Sequence, residues 1–133
     1  MDDVNTWPGP ITAITLFAED VPAARRFYTD VLELPVHYED DASCVFLFGA
    51  TMVNILAVGE APELVAPAPV GAADAGARFQ LTLSVDDVDA VAARLQSRGA
   101  RLLNGPVDRP WGIRTATFQD PTGTIWELAA PLG

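Results

Sequence analysis

The chain has 133 residues, a formal net charge of −10, a single Cys (Cys44), a single His (His37), and eight basic residues that are all arginines. Those counts exclude an intrachain disulfide, a Cys/His zinc cage, a Schiff-base lysine and a P-loop lysine. The negative charge makes nucleic acid and anionic membranes poor partners. No apolar run approaches the ~20 residues that span a bilayer, and the acidic Met1–Asn5 start lacks the basic character of a signal peptide; the expectation is a cytoplasmic protein.

The first predicted strand runs from Ala13, with Ile14, Leu16 and Ala18 on one face and Ala13, Thr15 and Phe17 on the other. Asp20 is placed to cap a helix over about 21–33, and Pro22 sits in its first turn. Ala24, Phe27, Tyr28, Val31 and Leu32 form its apolar stripe. An extended segment over 35–39 follows, then a hairpin over 44–58 turning at Gly49-Ala50. Both hairpin strands are nearly all apolar, so both faces are covered and Phe46 and Phe48 belong to the core. Asn54 is the polar exception, and needs either a ligand or an internal partner. Residues 60–77 are rich in Pro, Ala and Gly without a usable period, and read as a connector, either a loop or a lid over a pocket.

The second half begins with a clean alternation: Phe79, Leu81, Leu83 and Val85 against Gln80, Thr82 and Ser84. Asp87 caps a helix over 88–98 that Gly99 ends. Strands are expected over 100–103, 112–119 and 124–129, the last two joined by the Asp120-Pro121-Thr122-Gly123 turn. Trp126 faces opposite Glu127 and should pack under a helix. The two halves repeat. An offset of 67 residues aligns Ala13–Ala23 with Gln80–Ala90, and five of eleven pairs are identical: Thr15/Thr82, Leu16/Leu83, Asp20/Asp87, Val21/Val88 and Ala23/Ala90. Each half reads β-α-β-β-β, giving one α+β domain over 1–133 with units at 11–59 and 78–130.

Asp20 with Phe27-Tyr28-Thr29-Asp30-Val31-Leu32, then Asp86-Asp87-Val88, Pro110-Trp111-Gly112 and Phe118-Gln119-Asp120-Pro121-Thr122-Gly123-Thr124-Ile125-Trp126-Glu127-Leu128, resemble the vicinal oxygen chelate superfamily. That superfamily includes glyoxalases, bleomycin-resistance proteins and extradiol dioxygenases. The resemblance covers about 11–130 and implies two βαβββ modules forming an open, curled mixed sheet with helices outside and the ligand inside, often in a homodimer. It implies a metal quartet too, with ligands seven residues before each helix-starting Asp and on each module's last strand. Here those places hold Ala13, Asn54, Gln80 and Glu127. One carboxylate, two neutral amides and an alanine fall short of a catalytic metal site, so no metal and no other cofactor is expected.

The positions remain inward-facing in the fold that the resemblance implies. Ala13, Thr15, Phe17, Asn54, Gln80, Thr82 and Glu127 are the expected ligand-binding set, with Trp111 from its Pro-Trp-Gly loop and Arg114 as a partner for an anionic group or a surface ion pair. The leading expectation is a metal-free protein that binds or sequesters an aromatic or cationic metabolite or antibiotic. The alternative is a glyoxalase-type lyase, isomerase or dioxygenase, using a degraded metal site or Glu127 as a catalytic base. Cys44, opening an apolar strand, reads as a buried structural thiol.

Overall fold

The computed structural model describes residues 7–133; the Met1–Asn5 start lies outside the described residues. In chain order the elements are β1 (Ala13–Ala18), α1 (Val21–Arg26), a π-helical turn (Phe27–Val31), β2 (Tyr38–Glu39), β3 (Ser43–Phe48), β4 (Thr51–Ala57), a 3-10 turn (Val58–Glu60) and α2 (Ala61–Val65). The second half contributes β5 (Gln80–Ser84), α3 (Val88–Ser97), β6 (Leu102–Asp108), β7 (Ile113–Gln119) and β8 (Ile125–Pro131). Two four-stranded mixed sheets result, in the orders β1-β4-β3-β2 and β5-β8-β7-β6. In each, the first strand runs parallel to the last and the rest are antiparallel. Neither sheet closes on itself, and this is the α+β architecture expected from the two-fold repeat.

The helix starts follow from their caps. Asp20 and Asp87 have extended backbones, and each side chain accepts from the backbone N–H three residues on, Ala23 and Ala90 respectively, at 3.0 Å. The first helix departs from the expected 21–33 α-helix. It is α-helical only to Arg26, then widens into the π turn, with Leu32 N–H donating to Phe27 O at 3.2 Å. The wider turn still presents Tyr28 and Val31 to the interior beside Ala24. Two edge strands differ from expectation as well. β2 spans two residues instead of 35–39, because Pro35 has no N–H to offer a ladder. β6 extends to Asp108, beyond the expected 100–103, because register shifts around Gly105-Pro106 absorb residues that a regular strand would reject.

The core explains how the halves sit together. Leu16, Ala18, Cys44, Phe46, Val53 and Ile55 line the helix side of the first sheet, and Ala116, Phe118, Trp126 and Leu128 that of the second. All ten are buried in one cluster. Tyr28 lies between the sheets, stacked on Phe46 at 5.1 Å and edge-on to Trp126 at 6.3 Å. Phe48 stacks directly on Trp126 at 4.9 Å. Trp126 thus packs against the helical segment of the other half. Such aromatic pairs contribute about 0.5–1.5 kcal/mol each beyond their buried area. Because the sheets meet through their helix sides, their other faces look away from one another. Ala13 and Thr15 on the first, and Gln80, Thr82 and Ser84 on the second, are exposed.

One polar hub sits inside this core. Asp120 is 4% exposed and accepts from Tyr28 Oη, from Trp126 Nε1 at 3.3 Å, from Thr122 N and Oγ1 at 2.9 and 2.6 Å, and from Thr124 N at 3.0 Å. Burial raises the Tyr28 hydroxyl pKa well above the usual tyrosine value, reinforced by the charge of Asp120 and the hydrogen bond to it. The folded protein therefore keeps a proton that the unfolded chain releases above about pH 10, so stability present below that pH is lost as pH rises beyond it. Urea unfolding at about pH 7 and about pH 11 should show this decline, and Tyr28→Phe should flatten it. An equal decline in the variant would assign it elsewhere.

Candidate functional site

The open face of the first sheet carries Ala13, Thr15 and Phe17 from β1 and Met52, Asn54 and Leu56 from β4, in register as Ala13/Met52, Thr15/Asn54 and Phe17/Leu56. Asn54 Oδ1 is buried without a hydrogen-bond partner among the described residues. At the Phe17 end the face opens into a cavity of about 400 Å3, lined by Thr15, Phe17, Val65, Val70, Phe79 and Thr124 among others. Its wall is the connector. Ala73 N donates to Glu19 Oε2 at 3.2 Å, and Ala73 backbone lies so close to Gly123 that a Cβ there would meet the Ala73 carbonyl oxygen and stand 3.1 Å from its carbon. The 60–77 segment thus carries one short helix and touches the rest of the fold at Ala73.

The open face of the second sheet is more polar. One row crosses it through paired positions: Asn104 on β6, Thr117 on β7, Glu127 on β8 and Thr82 on β5. Thr82 Oγ1 donates to Glu127 Oε1 at 2.9 Å, which orients the carboxylate. Between Asn104 and Glu127, Thr117 is 5% exposed and its hydroxyl has no partner among the described residues. Such an orphaned buried group costs about 1–3 kcal/mol unless something pairs with it. In the next row, Thr115 Oγ1 accepts from Arg109 Nε at 3.0 Å, and Arg109 Nη2 reaches Asn104 Oδ1 at 2.9 Å.

Of the residues expected from sequence, Ala13, Thr15, Phe17 and Asn54 share one open face, and Gln80, Thr82 and Glu127 share the other. Two stand apart. Arg114 lies on the opposite side of β7, where it pairs with Asp89 of α3 at 3.0 Å and Asp108 at 2.7 Å. Those two carboxylates raise its pKa further, the hydrogen bond to Asp89 contributing most. Trp111 sits in the turn between β6 and β7 and is 68% exposed. Arg114 thus takes the surface ion pair, one of the two roles the sequence offered it, while Arg109 lies on the open face. The alternation Asp108 to one side and Arg109 to the other was available as a signal, but Gly105-Pro106 hid the strand that carries it. Cys44 is buried, and burial pushes its thiol pKa up.

The quartet that would hold a divalent metal does not fit one. Ala13 has no donor, Asn54 and Gln80 offer neutral amides, and Glu127 already accepts from Thr82. Within one chain the two pairs sit on faces that look apart. Among the described residues no group of three or more His, Cys, Asp or Glu is gathered for a metal.

Residues 11–128 match the family model of the Glyoxalase/Bleomycin resistance protein/Dioxygenase superfamily. The chain is 30% identical over 119 residues to YraH of Bacillus subtilis (strain 168), an alignment covering 86% of this chain and 93% of that protein. Among solved structures, a glyoxalase/bleomycin resistance protein/dioxygenase from Nocardioides superposes with a TM-score of 0.79 at 23% identity, over 97% of this chain and 87% of that one. TnmS3, an antibiotic binding protein from Streptomyces sp. CB03234, superposes with a TM-score of 0.71 at 25% identity, over 96% and 99% of the two chains.

Proposed function

Since the chain belongs to the Glyoxalase/Bleomycin resistance protein/Dioxygenase superfamily, we propose that it is a member that binds a small organic molecule through its open sheet faces, without a metal. The observation that carries this is the chemistry of the four matching positions: an alanine, two amides, and a glutamate oriented by Thr82. What a metal would have coordinated is instead available to hydrogen-bond a ligand. Glu127 is an acceptor for a cationic or N–H-bearing group, Asn54 Oδ1 and Thr117 Oγ1 are buried and unpaired among the described residues, and Phe17 and Phe79 offer flat apolar surface. The occupant is accordingly an aromatic, cationic or donor-rich metabolite or antibiotic. TnmS3, which binds an antibiotic, has the same fold.

The back-to-back sheets bear on assembly. A ligand touching both open faces cannot do so within one chain, so the complete site takes the first sheet of one copy and the second sheet of another, in a homodimer. Sedimentation should give twice the chain mass, and a monomer at micromolar concentration would contradict the shared site.

The binding reading is tested on chelator-dialysed protein with a thermal-shift panel of aromatic amines and cationic antibiotics. At least one compound should raise the melting temperature at concentrations about 100-fold above its Kd, equivalent to about 2.7 kcal/mol. Glu127→Gln should lower that compound's affinity by about ten-fold or more, as expected for a charge-assisted hydrogen bond. Binding that appears only when Ni, Zn, Fe or Mn is added, at about one ion per site, would overturn the metal-free reading.

A further inference from the structure

We propose that Arg109 is the anion-recognising residue of the second sheet's open face, so that the ligand carries a carboxylate or similarly anionic group together with the group addressed by Glu127. This rests on the reading of that face as a ligand site and deepens it. Arg109 is half-buried and is held by two neutral acceptors, Thr115 Oγ1 and Asn104 Oδ1. No carboxylate among the described residues pairs with it, so its charge is left for a ligand. Its neighbour Asp108 faces the other side of the sheet, engaged with Arg114. Two of its N–H donors are used in fixing the guanidinium, which leaves about three to engage a ligand in fork geometry.

The hydroxyl of Thr117 makes this a built site. It is almost wholly buried and has no partner among the described residues, and Thr117 lies in register between Asn104 on one side and Glu127 on the other. A carboxylate oxygen lying on Arg109 would satisfy it. The guanidinium lies over β7, and Glu127 is one strand further and one row along. With strands about 5 Å apart and alternate residues about 7 Å apart, the two charges are about 5–10 Å from each other. That spacing accommodates a ligand whose anionic and cationic groups are separated by a rigid spacer such as an aromatic ring.

Three matched probes test it: 4-(aminomethyl)benzoate, which carries both charges, 4-methylbenzylamine and 4-methylbenzoate. Each is titrated to about 10 mM while amide shifts of the second sheet are followed, a range suited to millimolar fragment affinities. The two-charge probe should bind about ten-fold more tightly than the amine, the gain expected of one charge-assisted fork. Arg109→Gln should close that gap, and Arg109→Lys, which keeps the charge but loses the fork, should close it partly. Dispersed amide spectra of both variants establish that they are folded. A two-charge probe that binds no better than the amine, or an advantage that survives Arg109→Gln, overturns the role of Arg109 and leaves the binding site standing. Absence of shifts with all three probes contradicts the site itself and this inference with it.

Discussion

Asp120→Ala should lose about 3–5 kcal/mol of stability, read as a fall in the urea midpoint with little change in slope. The size follows from what the carboxylate serves. It accepts from Tyr28 and Trp126 side chains and from the backbone N–H groups of Thr122 and Thr124, all within the core or the turn beside it. Removing it strands several donors, each of which costs about 1–3 kcal/mol when buried and unpaired. Tyr28 comes from the first half and Asp120 from the second, so the loss also loosens the contact between the halves. Asp120→Asn keeps the acceptor toward the backbone and should cost less, about 1–3 kcal/mol. A loss below about 1 kcal/mol in the alanine variant would show that the hub is not a determinant of the fold.

Gly105→Ala should be comparably damaging, about 2–5 kcal/mol, and should abolish ligand binding in whatever fraction stays folded. Gly105 has φ +83°, a region that costs an L residue about 1–2 kcal/mol. An added Cβ would meet the carbonyl oxygen of Thr115 and stand 2.8 Å from Ala116 Cα. Both are backbone atoms of the neighbouring strand, and neither can rotate away, so β6 has to lift from β7, with a further cost of about 1–3 kcal/mol. The lifted segment carries Asn104 and leads to Arg109, which bridge the two strands over Thr115. Calorimetric stability and probe binding measured on the same variant check both parts. Wild-type values of either would show that the close approach at Gly105 does not position the site.

The alternation of β1 and β5, the two capping aspartates and the turn at Asp120–Gly123 were readable because each is a local pattern with a local cause. Which residues share a face followed from the same alternation, but the expected single inner cavity with helices outside did not appear: within one chain the helix sides meet and the two open faces look apart. What escaped was non-local. Asp120 reads as an ordinary first residue of a turn, and only the fold brings Tyr28, 92 residues away in sequence, onto its carboxylate. The place of Arg109 on the open face was not legible because Gly and Pro signal a break, whereas an edge strand absorbs them as a bulge. Arg114 and Arg109 are equally plausible from sequence; the choice between them depends on which face of β7 each reaches. The π turn after Arg26 has no comparable signal in the sequence. The back-to-back packing of the sheets follows from Tyr28, Phe48 and Trp126 meeting, and that meeting is set by tertiary contacts that no periodicity encodes.

The proposed homodimer holds its ligand, without metal, between the first sheet of one copy and the second sheet of another. Asn54→Leu damages only the first face and Glu127→Leu only the second, so each variant alone has no intact site. Mixed in equal amounts and allowed to exchange, half of the dimers contain one chain of each kind, and each of those has one intact site of two. Equilibrium dialysis of the chelator-treated mixture, with the best compound from the thermal-shift panel, should recover about a quarter of wild-type binding capacity. No recovery, or recovery only when a divalent metal is added, would contradict the account.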